Sequence, residues 1–237
     1  MDEAARHRAT PWVVVGVLLF SNVMTNRVLP HWAYVPWGLA LSAVLITISV
    51  RLDGSTAADL GLARRDVGSG LRWGGLVFGL ILLVYVAGIA MPWTRDLFRD
   101  DRASSELSGL LQRSLWAVPL GTVLAEEIAF RGALLTTFRH RTSPLRAAML
   151  SSVLFGFWHV LPSWNLNESN VAVGDEIGRG GLGRAIAIVG SVLATAVAGM
   201  VFCWLRQRSR SLVAPMLLHL ATNSLGYVGA FVVARAF

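Results

Sequence analysis

Hydrophobic and polar positions alternate along this chain in long blocks. Apolar runs of about 15 to 25 residues, the length an α-helix needs to cross a bilayer, are separated by short polar connections. Only helices and closed barrels satisfy their backbone groups in lipid. The pattern therefore predicts an all-α, polytopic membrane protein, built as a single integral membrane domain over residues 1–237. The seven predicted transmembrane helices are Trp12–Met24, Val35–Val50, Leu71–Met91, Leu115–Phe138, Leu145–Leu161, Arg184–Leu205 and Leu212–Val233.

Composition agrees with a membrane location. The chain is 54% hydrophobic and 15% charged, whereas soluble domains contain about 25% charged residues. The net charge of +7 would favour nucleic acid as a partner in a soluble protein, but here the arginines lie in short loops, where membrane topology explains them. We therefore expect no nucleic-acid partner. The single cysteine, Cys203, lies within a predicted span and excludes a disulfide framework.

The loop charges predict an orientation. Arginines concentrate in the connections that follow the second, fourth and sixth spans, and acidic residues dilute them in the others. This bias places the N-terminus in the cytoplasm and the C-terminus outside, with residues 53–72 as a cytoplasmic connector and 162–183 as an external loop. All 21 basic residues are arginine, which indicates a GC-rich bacterial genome and hence the cytoplasmic (inner) membrane of a bacterium. The first apolar run is interpreted as a retained helix. The arginines concerned are Arg51, Arg64, Arg65, Arg72, Arg139, Arg141, Arg146, Arg206, Arg208 and Arg210, and the acidic residues opposite are Asp96, Asp100, Asp101, Glu106, Glu168, Asp175 and Glu176.

The fourth predicted span contains two adjacent glutamates and an arginine. Each charged residue at membrane depth costs about 2.5–3.5 kcal/mol on insertion scales, so the default interpretation is a functional site. Glu127 and Arg131 are four residues apart, share a helix face and are expected to pair. Glu126 projects about 100° away and keeps a carboxylate suited to take a proton from water.

Two later spans contain further polar residues. His159 lies in the fifth, and His219 and Asn223 share one face of the seventh. Each alone could be a buried group hydrogen-bonded between helices. Counted from the nearest arginine-rich connection, however, Glu126, His159 and His219 lie about 20, 20 and 13 Å into the membrane. We therefore expect one buried, water-containing pocket shared by these helices.

These residues resemble a known family. The patterns Glu-Glu-x-x-x-Arg (126–131), Phe-x-x-x-His (155–159) and His-x-x-x-Asn (219–223), in this order on successive membrane helices, look like those of the CPBP family. CPBP stands for the CAAX protease and bacteriocin-processing family of intramembrane proteases, which includes prenyl-protein endopeptidases. The family-like catalytic core would extend over about 115–233.

The resemblance implies a mechanism and a set of roles. Glu126 would be the general base that activates water, and His159 would hold that water. His219 and Asn223 would bind the oxyanion, while the supporting residues Glu127, Arg131 and Phe155 would orient the site. The implied substrate is a peptide or protein associated with the lipid bilayer, and the implied enzyme is a glutamic-type endopeptidase without a cofactor.

Other interpretations remain open from the residues themselves. Glu126, His159 and His219 could supply three ligands to zinc, although metal-free hydrolysis is favoured because no His-Glu-x-x-His helix is present. A non-catalytic peptide- or lipid-binding scaffold of the same fold is the main alternative. A proton-coupled transporter is less favoured, since the duplicated halves of many transporters are not visible. No oligomeric state is predicted.

Overall fold

Seven long helical segments make up the architecture. A computed structural model describes residues 3–98 and 106–237, and all regular secondary structure in these ranges is helical. We number the helices α1 to α7 in chain order. They are α1 Glu3–Val23, α2 Tyr34–Asp53, α3 Val67–Ala90, α4 over residues 107–139, α5 Pro144–Trp158, α6 Gly181–Ser209 and α7 Val213–Ala236.

Five of these helices are long and apolar enough to cross a membrane, so the chain is a multi-pass membrane protein. The five candidate spans correspond to the first, second, third, sixth and seventh predicted ones. The first is longer than predicted, because α1 begins before the apolar run and π-helical turns continue it to Val28. The five spans are Ala9–Val28, His31–Asp53, Arg64–Ala90, Gly181–Ser209 and Val213–Ala236.

The fourth predicted span is helical but divided. Helix α4 alternates between α-helical sections and two π-helical ones, Arg113–Val123 and Ile128–Leu134. In the first π section Leu124 donates its backbone N–H to Pro119 O, a bond five residues long. The two glutamates occupy the short α-helical section Leu124–Glu127 between them. Such widened turns occur mostly at functional sites.

The fifth predicted span is shorter than expected. Helix α5 ends at Trp158, and His159 is its C-terminal cap instead of a residue inside the helix. Its 15 residues rise about 22 Å, less than the hydrocarbon thickness of about 30 Å. The Asn22 side chain donates to Trp158 O at 2.7 Å and so ties this end of α5 to α1. Backbone that leaves a helix at membrane depth is tolerated where it lines a water-filled cavity.

The predicted cytoplasmic connector is folded into the end of the bundle. Leu60 is 2% exposed, and Asp59 O accepts hydrogen bonds from Arg206 Nη2 at 2.7 Å and from Thr136 Oγ1 at 2.8 Å. Gly61 has a φ of +76°, and a Cβ there would clash with the guanidinium of Arg206. The connector therefore closes the arginine-rich end of the protein.

The predicted external loop 162–183 is also partly folded. It contains the short helices Leu166–Ser169 and Val171–Ile177. Asn167 is buried between them, and its Nδ2 donates to Gly178 O at 3.1 Å. Two of the acidic residues used for the orientation, Asp100 and Asp101, lie outside the described residues.

Candidate active site

A cavity of about 540 Å³ lies between six helices, α1 to α5 and α7, and is lined by residues of these helices or of the turns that follow them. This is within the usual size of a ligand pocket, about 300–1,000 Å³. The cavity wall includes three of the four residues predicted to be catalytic, Glu126, His159 and Asn223. All three tyrosines of the chain, Tyr34, Tyr85 and Tyr227, also line it.

Glu126 lies between this cavity and a much smaller one. Its side chain is buried, with 9% of the residue exposed. The small cavity, about 20 Å³, is enough for one water molecule, and Tyr34, Trp37 and Trp158 also line it. The carboxylate is thus placed to contact both a confined water molecule and a larger ligand.

Trp158 holds one oxygen of this carboxylate. Its Nε1–H donates to Glu126 Oε1 at 3.0 Å, and its ring packs edge-on against Phe130 with 5.7 Å between centroids. Sequence reasoning missed this contact and expected a carboxylate without a partner. The available signal was that Trp158 immediately precedes His159, but its side chain can reach α4 only because α5 ends there.

Glu127 and His219 form a second contact, between α4 and α7. Glu127 Oε1 accepts from Arg131 Nη1 at 3.1 Å, as the helical spacing predicts, and it lies 2.8 Å from His219 Nδ1. Since that oxygen belongs to an arginine-paired carboxylate, we assign the imidazole proton to Nδ1. His219 Nε2 then faces Glu126 Oε2, 3.8 Å away. His219 is 4% exposed and does not itself line the large cavity.

Arg131 is fully buried and lies between aromatic rings. Its Cζ is 4.0 Å from the centroid of Phe155 and 4.6 Å from that of Phe202. Each such cation–π contact stabilises a desolvated guanidinium by about 2 kcal/mol. Nε and Nη2 have no hydrogen-bond partner within the described part of the chain, so the rings and Glu127 are what compensate the buried charge. Phe155 therefore supports the site by contacting Arg131.

His159 and Asn223 face the cavity from opposite helices. His159 Nδ1 lies 2.8 Å from Phe155 O, which leaves Nε2 available to a ligand. Asn223 lies one helical turn beyond His219 on α7 and lines the cavity directly. The structure thus brings Glu126, His159 and Asn223 to one cavity, and places His219 behind Glu126.

Close helix packing positions the wall opposite Glu126. A Cβ on Gly38 would lie 2.9 Å from Gly121 O, and one on Gly121 would lie 2.5 Å from the Tyr34 ring. Small residues let membrane helices approach in this way. The contact brings Tyr34 Oη to 2.8 Å from Thr122 Oγ1, one turn before Glu126. Sequence reasoning missed Tyr34 and Thr122, because neither belongs to a pattern of charged residues.

The three residues of the zinc alternative are not gathered into one ligand set. Among the described residues, no group of three or more His, Cys, Asp or Glu side chains could hold a metal ion. We therefore derive no chemical step through a metal.

A comparison with known protein families gives a match. Residues 110–225 match the family model described as Type II CAAX prenyl endopeptidase Rce1-like. This range includes the seven site residues predicted from the sequence, namely Glu126, Glu127, Arg131, Phe155, His159, His219 and Asn223. Neither the curated proteins nor the solved structures gave a match. The matched segment, just under half of the chain, is thus similar to CAAX prenyl endopeptidases.

Proposed function

We propose that the chain is an intramembrane endopeptidase of the CPBP type, because residues 110–225 are similar to the Rce1-like CAAX prenyl endopeptidases. It hydrolyses a peptide bond of a membrane-associated or exported peptide or protein. The reaction uses a water molecule activated by Glu126 and needs no cofactor. The observation that supports this most is the placement of Glu126, with one oxygen held by Trp158 and the other open.

In the proposed hydrolysis, each proton transfer is assigned to a named side chain. Glu126 accepts a proton from water as the water oxygen bonds to the substrate carbonyl carbon. The C–N bond then breaks, its electron pair goes to the leaving nitrogen, and Glu126 returns the proton there. Asn223 supplies a neutral donor for the carbonyl oxygen, whose negative charge develops in the transition state. His159 positions the water through Nε2.

His219 has a different role from the one implied by the family resemblance. Its Nδ1–H is committed to Glu127, and its Nε2 faces Glu126 and not the large cavity. An imidazole oriented by a carboxylate in this way can hold a proton for its neighbour, as in hydrolytic triads. We propose that His219 shares the transferred proton with Glu126, and that Asn223 is the main oxyanion donor.

The Glu127–Arg131 pair allows proton transfer by Glu126 and His219 at membrane depth. The two residues are buried and four positions apart on one helix, and because their charges are opposite the pair adds no net charge. Glu126 is then the one carboxylate in the Leu124–Glu127 section not paired with an arginine. Its charge is stabilised by the Trp158 N–H, because a hydrogen bond to an ionised group is about twice as strong as a neutral one.

The finer topology is part of the same proposal. We propose that α4 and α5 also cross the bilayer, which gives seven crossings in the cytoplasmic membrane of a bacterium. The N-terminus then lies in the cytoplasm and the C-terminus outside. The partners are the lipid bilayer and a peptide or protein substrate.

The first experiment replaces the proposed base. The Glu126→Gln variant and wild type are compared in their native membranes by mapping new protein N-termini with mass spectrometry. We expect N-termini that occur with wild type and are lost with Glu126→Gln, because the amide cannot accept the proton. The matched control is Glu176→Gln, which alters an exposed glutamate outside the cavity and should keep wild-type N-termini.

Three other outcomes of these experiments would contradict the proposed protease function. If Glu126→Gln yields the same N-termini as wild type, the hydrolytic mechanism is wrong. If no N-termini depend on the protein but a photo-crosslinked peptide is retained, the protein is a scaffold. Solute uptake into proteoliposomes that requires Glu126, with no cleaved product, would identify a transporter.

A further inference from the structure

We infer that the active-site cavity opens on the extracytoplasmic side of the membrane, so that the substrate is an exported peptide segment and not a cytoplasmic C-terminus. The substrate part of this inference rests on the proposed proteolytic function, whereas the side on which the cavity opens does not.

The residues of the cavity wall all lie toward one end of the bundle. Thr25 and Asn26 follow the end of α1, Tyr34 begins α2, and Leu97 and Phe98 follow the end of α3. The remaining wall residues come from the last part of α3, the middle of α4, the end of α5 with Pro162 just after it, and the middle and second half of α7. Leu97, which is 66% exposed, lies at the edge of the cavity, so the cavity reaches the protein surface at this end.

The interior between Glu126 and the opposite end is filled. Below Glu126 lie Arg131, Phe130 and Leu134, each at most 1% exposed. Leu205 and Leu212 continue this packing and are equally buried. A ligand therefore cannot reach Glu126 from that end without unfolding part of the bundle.

The connector closes the same end. Its backbone is held by Arg206 and Thr136, as described above, and Leu212 N donates to Gly61 O at 2.9 Å. At the end of α2 the buried carboxylate of Asp53 contacts Arg141 Nη2 at 2.6 Å. These contacts fasten the connector and the end of α2 to α4, α6 and the residue before α7, so the connector covers this end of the bundle.

The closed end is the one with the arginine clusters. The clusters after α2, α4 and α6 all lie there, which marks it as cytoplasmic. The open end has no such clusters in the described part of the chain, and two of its arginines pair with acids, Arg184 with Glu168 at 2.6 Å and Arg179 with Asp175 at 3.4 Å. The open end is therefore the extracytoplasmic one.

The chemistry of the wall fits a peptide backbone. Hydroxyl and amide groups dominate the polar part, from three tyrosines, three threonines, Asn26 and Asn223, and Glu126 is the carboxylate among the described lining residues. Arg113 lies over the ring of the wall residue Tyr227, with 5.7 Å from its Cζ to the ring centroid. Such a wall offers hydrogen bonds to an extended peptide.

Cysteine labelling tests the side of the opening. In a Cys203→Ala background, a membrane-impermeant sulfonated maleimide is applied to intact spheroplasts that contain Leu97→Cys or Arg65→Cys. Both wild-type side chains are exposed, at 66% and 78%, and neither belongs to the catalytic machinery. We expect Leu97→Cys to be labelled at least about ten times faster, because a closed bilayer excludes the charged reagent from the cytoplasmic side. Permeabilised cells should label both variants.

A second position at the cavity edge keeps the labelling test valid if one cysteine variant fails to fold. Pro162→Cys, also exposed at the cavity edge, should behave like Leu97→Cys. Faster labelling of Arg65→Cys than of both cavity variants in intact spheroplasts would overturn the inference.

A separate readout tests the substrate class. A membrane-impermeant amine reagent applied to intact cells tags only external N-termini, in wild type and in Glu126→Gln. We expect the Glu126-dependent N-termini to be among those tagged or released to the medium. Glu126-dependent N-termini confined to the cytoplasm would overturn the substrate assignment. Complete absence of Glu126-dependent N-termini would overturn the proposed protease function and, with it, the proposed substrate. The cysteine-labelling experiment would still decide on which side of the membrane the cavity opens.

Discussion

Replacing Trp158 by Phe isolates the hydrogen bond that holds the proposed base. The substitution keeps an aromatic ring against Phe130 and removes the Nε1–H that donates to Glu126 Oε1 at 3.0 Å. A hydrogen bond to a charged group contributes about 1.5–3 kcal/mol. Without it Glu126 Oε1 loses its donor, and the buried carboxylate is no longer held in the productive orientation.

The free energy of this hydrogen bond sets the expected loss of turnover. If the productive arrangement is less populated by about 1.5–3 kcal/mol, turnover falls by about 10- to 150-fold. The loss should appear in kcat, with KM within about twofold of wild type, because Trp158 acts through Glu126 and the cavity keeps its shape. A purely structural role would instead lower the amount of folded enzyme and leave kcat per folded molecule unchanged.

The assay uses purified enzyme in proteoliposomes and a fluorogenic peptide that spans a cleavage site mapped in membranes. Folded enzyme is quantified by size-exclusion chromatography before each rate measurement. The matched control is Trp204→Phe, which changes a tryptophan packed edge-on against Trp73 and absent from the cavity wall. A Trp158→Phe enzyme with wild-type kcat, measured where Glu126→Gln is inactive, would refute the positioning role.

Three further predictions concern the rest of the site. Arg131→Met should lower the free energy of unfolding by about 3–5 kcal/mol, because it leaves the buried Glu127 carboxylate without its arginine partner. In thermal melts, the double variant Arg131→Met with Glu127→Gln should recover part of that loss. Gly121→Ala should cost about 1–3 kcal/mol by forcing a methyl group against the Tyr34 ring, whereas Gly79→Ala on α3, where a Cβ meets nothing within 4 Å, should change the melting temperature little. Proteolysis should survive a strong chelator with its rate within about twofold, since the proposed steps use only side chains, and complete loss restored by zinc would disprove the metal-free mechanism.

The sequence by itself predicted a helical membrane fold, a resemblance to CAAX proteases and the candidate residues. Hydropathy blocks and helical spacing are local properties, so the apolar spans and the Glu127–Arg131 pair can be predicted without knowing how helices pack. The cost of charge at membrane depth identified Glu126 for the same reason.

Tertiary structure alone decided which side chains meet and where the cavity opens. The Trp158–Glu126 contact depends on α5 ending early, and the position of His219 behind Glu126 depends on how α7 is rotated against α4. The burial of Leu60 in the connector depends on contacts with residues far along the chain. Hydropathy and periodicity contain no information on the relative rotation or depth of separate helices, because those are set by side-chain packing between segments distant in sequence.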